Sequence, residues 1–155
     1  MPDLGKVSGE FFRETISPHL GADRDDVRLG PTAGVDFGVV DVDGTALVLA
    51  TDPLSLPPTL GFERAGRFAL DICLADVAVS GVAPSHVAVG FTLPPSMTDE
   101  SFAAAWTAMD ERARELGVSV ATGHTARYAG VEFPWVGAAT VLGVGGHDDV
   151  VRPDG

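Results

Sequence analysis

The sequence has little of several features that each define a class of protein. Its 155 residues include one cysteine, Cys73, which excludes an internal disulfide and fits a reducing compartment. Because Cys73 lies in an apolar helical run, we expect it to be a packed thiol. The apolar stretches 46–50 and 136–144 are too short to span a bilayer, and the first residues lack the apolar segment of a secretory signal. We therefore expect a cytoplasmic protein of one domain without a membrane partner.

Lysine is almost absent, because Lys6 stands alone beside nine arginines, and 15 aspartates outnumber seven glutamates. The formal net charge of −12 argues against a nucleic-acid partner, since binding nucleic acid requires a basic face. An Asp-rich, Lys-poor surface is typical of proteins that work in high salt, where ions screen the repulsion between exposed charges. This favours a halophilic source, although an acidic protein from a GC-rich bacterial genome would also prefer arginine to lysine.

The spacing of apolar residues predicts alternating helices and strands. A short helix capped by Ser8 is expected over residues 8–17, followed by a polar loop, GADRDDVRLGPTAG. Two strands, 35–41 and 45–51, are predicted to form a hairpin around an Asp43-Gly44 turn. The remaining predicted elements are helices over 62–80 and 98–116 and strands over 87–93, 118–121 and 134–144.

This order predicts an α/β fold in which helices cover one face of a mixed sheet. In the helix over 62–80, the apolar residues Phe68, Ile72, Ala75 and Val79 are three or four positions apart, which is the spacing of a helix, and Gly81 is expected to end it. The strand over 134–144 is apolar on both faces, so we expect it to be central or to be buried against a second copy of the sheet.

Three aspartates interrupt apolar segments. Asp36 is expected inside the first hairpin strand, Asp52 at the end of the second, and Asp76 in the middle of the helix over 62–80. A buried carboxylate is costly unless it is paired, and a divalent cation removes the repulsion between carboxylates while taking oxygen ligands. The pattern therefore predicts that the three hold magnesium, which often bridges to the phosphates of a nucleotide. For Thr51-Asp52-Pro53, a simple chain reversal is the alternative.

The segment Thr122-Gly123-His124-Thr125 is expected to follow a strand, where Gly123 would allow close backbone approach. A strand-ending turn explains this segment equally well. The sequence contains no Gly-Lys-Ser/Thr phosphate loop, no G-x-G-x-x-G after a strand, no G-x-S-x-G and no H-E-x-x-H. The common nucleotide-loop, serine hydrolase and zinc peptidase motifs are thus excluded.

Taken together, four segments carry a family resemblance: GVDFGVVDV, ATDP, LADVAVSGVAPSH and TGHT, in this order. They resemble the N-terminal domain of the aminoimidazole ribonucleotide synthetase superfamily, which includes selenophosphate synthetase, thiamine-monophosphate kinase and HypE, and especially its archaeal synthetase-related branch. The resemblance covers residues 5–145. It implies an α/β domain whose sheet pairs with that of a second copy to form a barrel, with ATP and Mg²⁺ bound near this homodimer interface.

The resemblance also implies roles for individual residues. Asp36 matches the second Asp of a Gly-Asp-Asp-Ala-type motif, and Asp76 matches the Asp of an Asn-Asp pair, so that with Asp52 they would hold the metal. Nucleotide contacts are implied for the matching residues Thr51, Asp52, Gly123, His124 and Thr125. Lys6 lies where family members often keep a mobile phosphate or substrate loop, and it is either a phosphate contact or an exposed tail lysine.

The sequence departs from the family pattern at two positions: Val35 replaces the first Asp of the pair and Ala75 replaces the Asn. Family enzymes are about twice as long, so residues 1–146 are expected to be an ATP-binding N-terminal domain and residues 147–155 a polar tail or the start of a linker to an absent C-terminal domain. The implied function is an ATP- and magnesium-binding module of a phosphoryl-transfer enzyme with an unknown small-molecule substrate. The alternative is a non-catalytic nucleotide-binding or dimerisation domain.

Overall fold

The computed structural model describes residues 4–151. A short helix α1 (Gly9–Phe11) continues as one π-helical segment (Phe12–Ile16), and the Ser8 hydroxyl caps it by accepting from the backbone N–H of Phe11 at 3.1 Å. The remaining strands and α-helices are β1 (Val27–Leu29), β2 (Gly38–Val42), β3 (Thr45–Ser55), α2 (Phe62–Val79), β4 (Pro84–Leu93), α3 (Asp99–Leu116), β5 (Ser119–Arg127) and β6 (Trp135–Gly145). Short 3₁₀ turns lie at Pro58–Leu60 and His147–Asp149.

The six strands form one mixed sheet in the order β1-β2-β3-β6-β4-β5. Only β4 and β5 are parallel, and the other neighbours are antiparallel. This confirms the predicted α/β class, and it confirms the central position of the last strand, because β6 lies between β3 and β4. β6 has a paired strand along each edge, and its residues Val136, Ala139 and Val141 are buried on the covered face.

The β2–β3 hairpin forms as predicted, with Val42 paired to Thr45 across a two-residue turn. Asp43 and Gly44 have φ values of 49° and 83°, the positive values that a type I′ turn requires and that favour glycine at the second position. Helix α3 also begins and ends as predicted. The Thr98 hydroxyl accepts from the N–H of Ser101 at 3.0 Å, and Gly117 ends the helix with a φ of 72°.

The helices cover one face of the sheet and leave the other open. Along β3, Ala46, Val48, Ala50 and Leu54 are buried, whereas the intervening residues are half-buried or exposed. Helix α2 forms where the apolar spacing predicts it, but the residues that show this spacing are not the buried ones. Phe68, Ile72, Ala75 and Val79 are exposed, and the buried residues of this helix form a neighbouring stripe of the same period: Ala65, Gly66, Ala69, Leu70, Cys73, Leu74 and Val77.

Small residues explain which stripe of α2 is buried. A Cβ placed on Gly66 would lie 2.4 Å from the carbonyl oxygen of Ala105 on α3, so the two helices cross at a contact that only glycine allows. Large side chains at the same positions would hold the helices apart. Cys73 is also buried in this stripe, and burial raises the pKa of its thiol to about 12, as expected for a packed, unreactive thiol.

The described part of the predicted tail packs against the domain. His147 and Asp41 on β2 form a hydrogen bond of 2.6 Å between the imidazole Nε2 and the carboxylate. The N–H of Val151 donates to the carbonyl of Ser80 at 2.7 Å. Residues 147–151 therefore lie on the domain surface, and the rest of the predicted tail lies outside the described residues.

Candidate functional site

Asp52 lies inside β3 rather than at its end. The strand was predicted to stop at Thr51, but it continues to Ser55, and Asp52 pairs with Ala139 of β6. On its other side β3 pairs with β2 only as far as Leu49. One edge of β3 is thus unpaired beyond this residue, which is a position where a strand tolerates a proline such as Pro53. The acid is held by a regular strand and not by a chain reversal.

The carboxyl group of Asp52 meets that of Asp76, which α2 presents to the same side of the sheet. One oxygen of Asp52, Oδ2, is buried and has no hydrogen-bond partner among residues 4–151. The pKa of Asp52 is raised to about 7, first by burial, then by a hydrogen bond to Asp76 and by the negative charges of Asp76 and Asp36, against which Lys6 acts weakly. At neutral pH this carboxyl pair therefore holds a proton or needs a cation.

Asp36 lies beside this pair but not inside a strand. It precedes β2 by two residues, in the loop that follows β1, because the structure begins the strand only at Gly38. The carboxylate of Asp36 forms a salt bridge of 3.3 Å with the Lys6 ammonium. Both side chains are largely exposed, so the salt bridge contributes little stability, and its cation lies at the mouth of the acidic site.

A cavity of about 680 Å³ joins these groups. It contains the three predicted aspartates, Lys6 and Thr51, so the structure brings five of the predicted site residues together. Its remaining wall is largely apolar and comes from the β1–β2 region, the part of β3 near its unpaired edge, and one residue of β6. These residues are Val27, Leu29, Gly30, Pro31, Val35, Phe37, Gly38, Val39, Val40, Leu49, Ala50, Pro53 and Thr140. A pocket of this size with a few polar groups at one end suits a small-molecule ligand.

Thr140 is a residue of this cavity that sequence reasoning missed. Its hydroxyl donates to that of Thr51 at 3.3 Å, and the Thr51 hydroxyl donates to the carbonyl of Ala139 at 3.2 Å. The signal was present in the sequence, since Thr140 is the single polar residue in the apolar stretch 136–144. The two hydroxyls form a polar row on the open face of the sheet, whereas Asp52 points to the face that α2 covers.

The site suits a hard cation in part. Within the described chain, no three His, Cys, Asp or Glu side chains are arranged to hold a metal ion between them. The pair of Asp52 and Asp76 nevertheless offers carboxylate oxygens, one of them buried without a partner, and Mg²⁺ is commonly held by one or two carboxylates together with waters and phosphates. The pair fits this ligand set, whereas Asp36 contacts Lys6.

The segment Thr122–Thr125 does not join the aspartates within one chain. It lies inside β5, which continues to Arg127, rather than in a turn after a strand. Gly123 and His124 line a separate, shallow depression on the open sheet face, and His124 Nε2 lies 2.8 Å from the Tyr128 hydroxyl. Because β5 is three strands away from β3, roughly 14 Å separates them at the usual strand spacing.

The pairing registers connect the two places in another way. Thr51 pairs with Thr140, Thr140 with Ala88, and Ala88 with Thr122. These four residues form one row across the open face, and the row ends at the segment that contains His124. Thr51 and the segment with His124 thus border the same uncovered surface, whereas Asp52 and Asp76 lie on the covered side of the sheet.

No helix in the described part of the chain is both long and apolar enough to cross a membrane.

The fold matches proteins of known structure. Thiamine monophosphate kinase from Aquifex aeolicus superimposes with a TM-score of 0.61 at 18% identity, over 77% of this chain and 40% of that one. PurL of T. maritima, solved in complex with ATP, gives a TM-score of 0.63 at 20% identity, over 83% of this chain and 23% of that one.

Sequence comparison identifies the family. The carbamoyl dehydratase HypE of Escherichia coli strain K12 is 31% identical over 121 residues, which are 77% of this chain and 34% of HypE. The chain thus spans about a third of the length of this curated relative. Residues 34–144 match the family described as AIR synthase related protein, N-terminal domain. These matches do not distinguish the archaeal branch that the motifs indicated. The chain belongs to the AIR synthase related family, and it contains the N-terminal domain of that family.

Proposed function

We propose that the chain binds ATP with Mg²⁺ in the 680 Å³ cavity and is the nucleotide-binding module of a phosphoryl-transfer enzyme. The observation that carries the proposal is the unpartnered buried oxygen of Asp52 beside the carboxyl of Asp76. An acidic pair of this kind lacks a cation, and the cavity beside it is large enough for a nucleotide. Related proteins that bind ATP, such as PurL of T. maritima, support the choice of ligand.

In this proposal Asp52 and Asp76 hold the metal, and Asp36 joins them when Lys6 moves from its carboxylate to a phosphate. The bound Mg²⁺ would neutralise charge on the phosphates, which is the main requirement of phosphoryl transfer. The Thr51 and Thr140 hydroxyls lie beside the pair and are placed to hydrogen-bond to phosphate or ribose oxygens. The apolar wall around Leu29 and the β1–β2 loop excludes water from one side of the ligand.

We also propose a homodimer built on the open sheet face. Leu49 pairs with Leu142 on that face and both are half-buried, while Val144 is 56% exposed. A second copy would cover these apolar side chains. Dimerisation is also the route by which the segment Gly123–Thr125 could approach an aspartate cluster of the second copy, because Gly123 and His124 border the open face. A C-terminal domain, present in the longer relatives, would complete the cleft for the small-molecule substrate.

Thermal unfolding with and without Mg-ATP tests the proposed site. A ligand that binds only the native state stabilises it by about 2.7 kcal/mol at a hundredfold excess over Kd. We expect Mg-ATP to raise the Tm of the wild type and Asp52→Asn to lose most of that rise. Asp43→Asn is the matched control, because it removes the same charge at a hairpin turn whose φ of 49° suits asparagine.

A full Mg-ATP shift in Asp52→Asn would show that this carboxylate is structural and would remove the main support for the proposal. The alternative function, a non-catalytic nucleotide-binding or dimerisation domain, is favoured by Ala75, which lacks the amide of the family's usual Asn. ADP release from ATP by the chain, alone and mixed with the C-terminal domain of a longer relative, separates the two. Binding without turnover in both cases would favour the non-catalytic domain.

A further inference from the structure

A second pocket of about 280 Å³ lies on the other side of Asp52, between the end of β3 and helix α2. It is lined by Asp52, Pro53, Ser55, Pro57, Phe68, Ala69, Ile72 and Trp135. Asp52 and Pro53 also line the 680 Å³ cavity. The carboxyl group proposed to hold the metal therefore lies where two compartments meet, one large and one small.

The wall of the smaller pocket is formed by large apolar side chains that remain exposed. Phe68 is 57%, Ile72 47% and Trp135 60% exposed. Phe68 and Ile72 occupy successive turns of α2, and Trp135 opens β6 opposite them. Contiguous exposed apolar surface next to a polar site commonly marks a binding groove. Two aromatic rings there offer stacking surfaces for a flat ligand.

We propose that this pocket is the subsite for an uncharged apolar ring of the acceptor substrate, whose reactive end lies at Asp52. The inference rests on the proposed function, because it takes the nucleotide phosphates to lie on the other side of the same carboxyl. Among the described residues, none of those lining the pocket is basic, so it offers nothing to a phosphate. Asp52 would also repel an anionic ring.

Size and composition assign the two compartments. The 680 Å³ cavity contains the Lys6 ammonium, the two threonine hydroxyls and all three aspartates, which are the groups a metal–triphosphate needs. The 280 Å³ pocket has Ser55 and Asp52 as its polar residues and is large enough for little more than a ring. A donor in the larger compartment and an acceptor in the smaller would meet at Asp52, which is the arrangement that phosphoryl transfer between two bound substrates requires.

Phenyl phosphate and methyl phosphate, each with Mg²⁺, are the probes for the ring subsite. We expect phenyl phosphate to bind roughly three- to tenfold more tightly to the wild type, as ring stacking on an aromatic side chain would give. The Phe68→Ala variant should lose this preference, whereas Phe11→Ala, which truncates another exposed phenylalanine outside the pocket, should keep it. Because Phe68 is exposed, the variant should fold with an unchanged Tm.

The indole N–H signals of the two tryptophans locate the ring. Phenyl phosphate should shift the signal of Trp135 and leave the signal of Trp106 unchanged, because Trp106 packs against Phe91 and Phe102 and does not line the pocket. Equal affinities for the two phosphates, an unchanged preference in Phe68→Ala, or an unshifted Trp135 signal would each overturn the proposal.

Nucleotide binding distinguishes failure of this subsite from failure of the proposed function. Phe68→Ala should change the affinity for Mg-ATP by less than about twofold. That is below the smallest effect expected from the loss of a stacked ring. If the variant weakens Mg-ATP but not Mg-tripolyphosphate, the pocket holds the nucleotide base, and the acceptor assignment is wrong. If Asp52→Asn keeps the full Mg-ATP shift, the metal–nucleotide site itself fails, whatever the ring probes show.

Discussion

The carboxyl group of Asp52 on β3 lies within hydrogen-bonding reach of Asp76 on α2, and its other contacts leave one buried oxygen without a partner in the described part of the chain. Two acids meeting between a strand and a helix are costly without a proton or a cation. The pair therefore makes the stability of the metal-free protein depend on pH.

Asp52→Asn should stabilise the metal-free protein at pH 8. The folded pKa of Asp52, about 7, is raised above its ordinary value of 3.8. The protonated carboxyl is thus favoured in the folded state, and this contribution to stability is complete below pH 3.8 and is lost as the pH rises through 7. Allowing for partial solvent screening, we expect a gain of about 1–2 kcal/mol for the variant at pH 8.

Urea unfolding in EDTA at several pH values measures this difference. The gap between Asp52→Asn and the wild type should shrink steadily between pH 8 and pH 4, and Asp43→Asn controls for the removal of one carboxylate. A variant that is less stable than the wild type at pH 8 would mean that Asp52 makes a favourable structural contact.

Gly66→Ala should destabilise the fold although alanine is the better helix former. In an open helix this change gains roughly 0.5–1 kcal/mol. Here the new Cβ would lie 2.4 Å from the Ala105 carbonyl oxygen, so α2 and α3 must separate, and overpacking of this kind costs about 1–3 kcal/mol. The sign of the change in unfolding free energy decides the matter. A stabilised variant would show that the crossing is looser than the structure has it.

Added KCl should stabilise the protein. At a net charge of −12 the compact state repels itself, and salt screens this repulsion. We expect the Tm to rise by roughly 5 °C or more between about 0.1 M and 2 M KCl. At about pH 4, where carboxylates begin to take up protons, the same series should show a smaller rise. A flat or falling curve at neutral pH would contradict the high-salt interpretation of the composition.

A charge on the open sheet face should break the proposed homodimer. Leu142 lies half-buried on that face, on the central strand and opposite Leu49. Leu142→Glu would place a carboxylate within an interface of about 2,000 Å² or more if the sheets pair. Sedimentation velocity should show a dimeric wild type and a monomeric variant with unchanged circular dichroism. A wild type that stays monomeric at tens of micromolar, in both low and high salt, would rule out the sheet-paired dimer.

The sequence predicts the elements of this fold better than their faces and ends. Helix α2 carries two apolar stripes of the same period, one with Phe68 and Ile72 and one with Ala69 and Cys73. Periodicity does not show which stripe is buried, and hydrophobicity favours the stripe with the larger residues. In the structure the stripe with the smaller residues is buried, because close contact between α2 and α3 requires small side chains. That competition is between tertiary arrangements and leaves no local signal.

Strand ends were missed for a related reason. Strand β1 has the sequence VRL inside a charged segment and is defined by its pairing with β2, which no local pattern records. Pro53 and Gly123 are typical of breaks in strands, yet both lie within strands because neighbouring strands hold their backbone in register. Aspartates in apolar segments were the informative signal, since a costly burial needs a reason. The same logic applied to Thr140 would have found the second hydroxyl of the site.

β6, the last strand among residues 4–151, connects the two halves of the sheet. Before β6 is made, β1, β2 and β3 form one group and β4 and β5 another, and no strand pairing connects the two groups. Ribosomal synthesis therefore leaves both groups with unpaired inner edges until residues 135–145 emerge. Such edges are prone to pair with other chains. Closing the sheet requires β3 and β6, which are far apart in the sequence, to come together. The protein is thus vulnerable to aggregation during its synthesis. A chain truncated before β6 would keep the unpaired inner edges of β3 and β4 permanently.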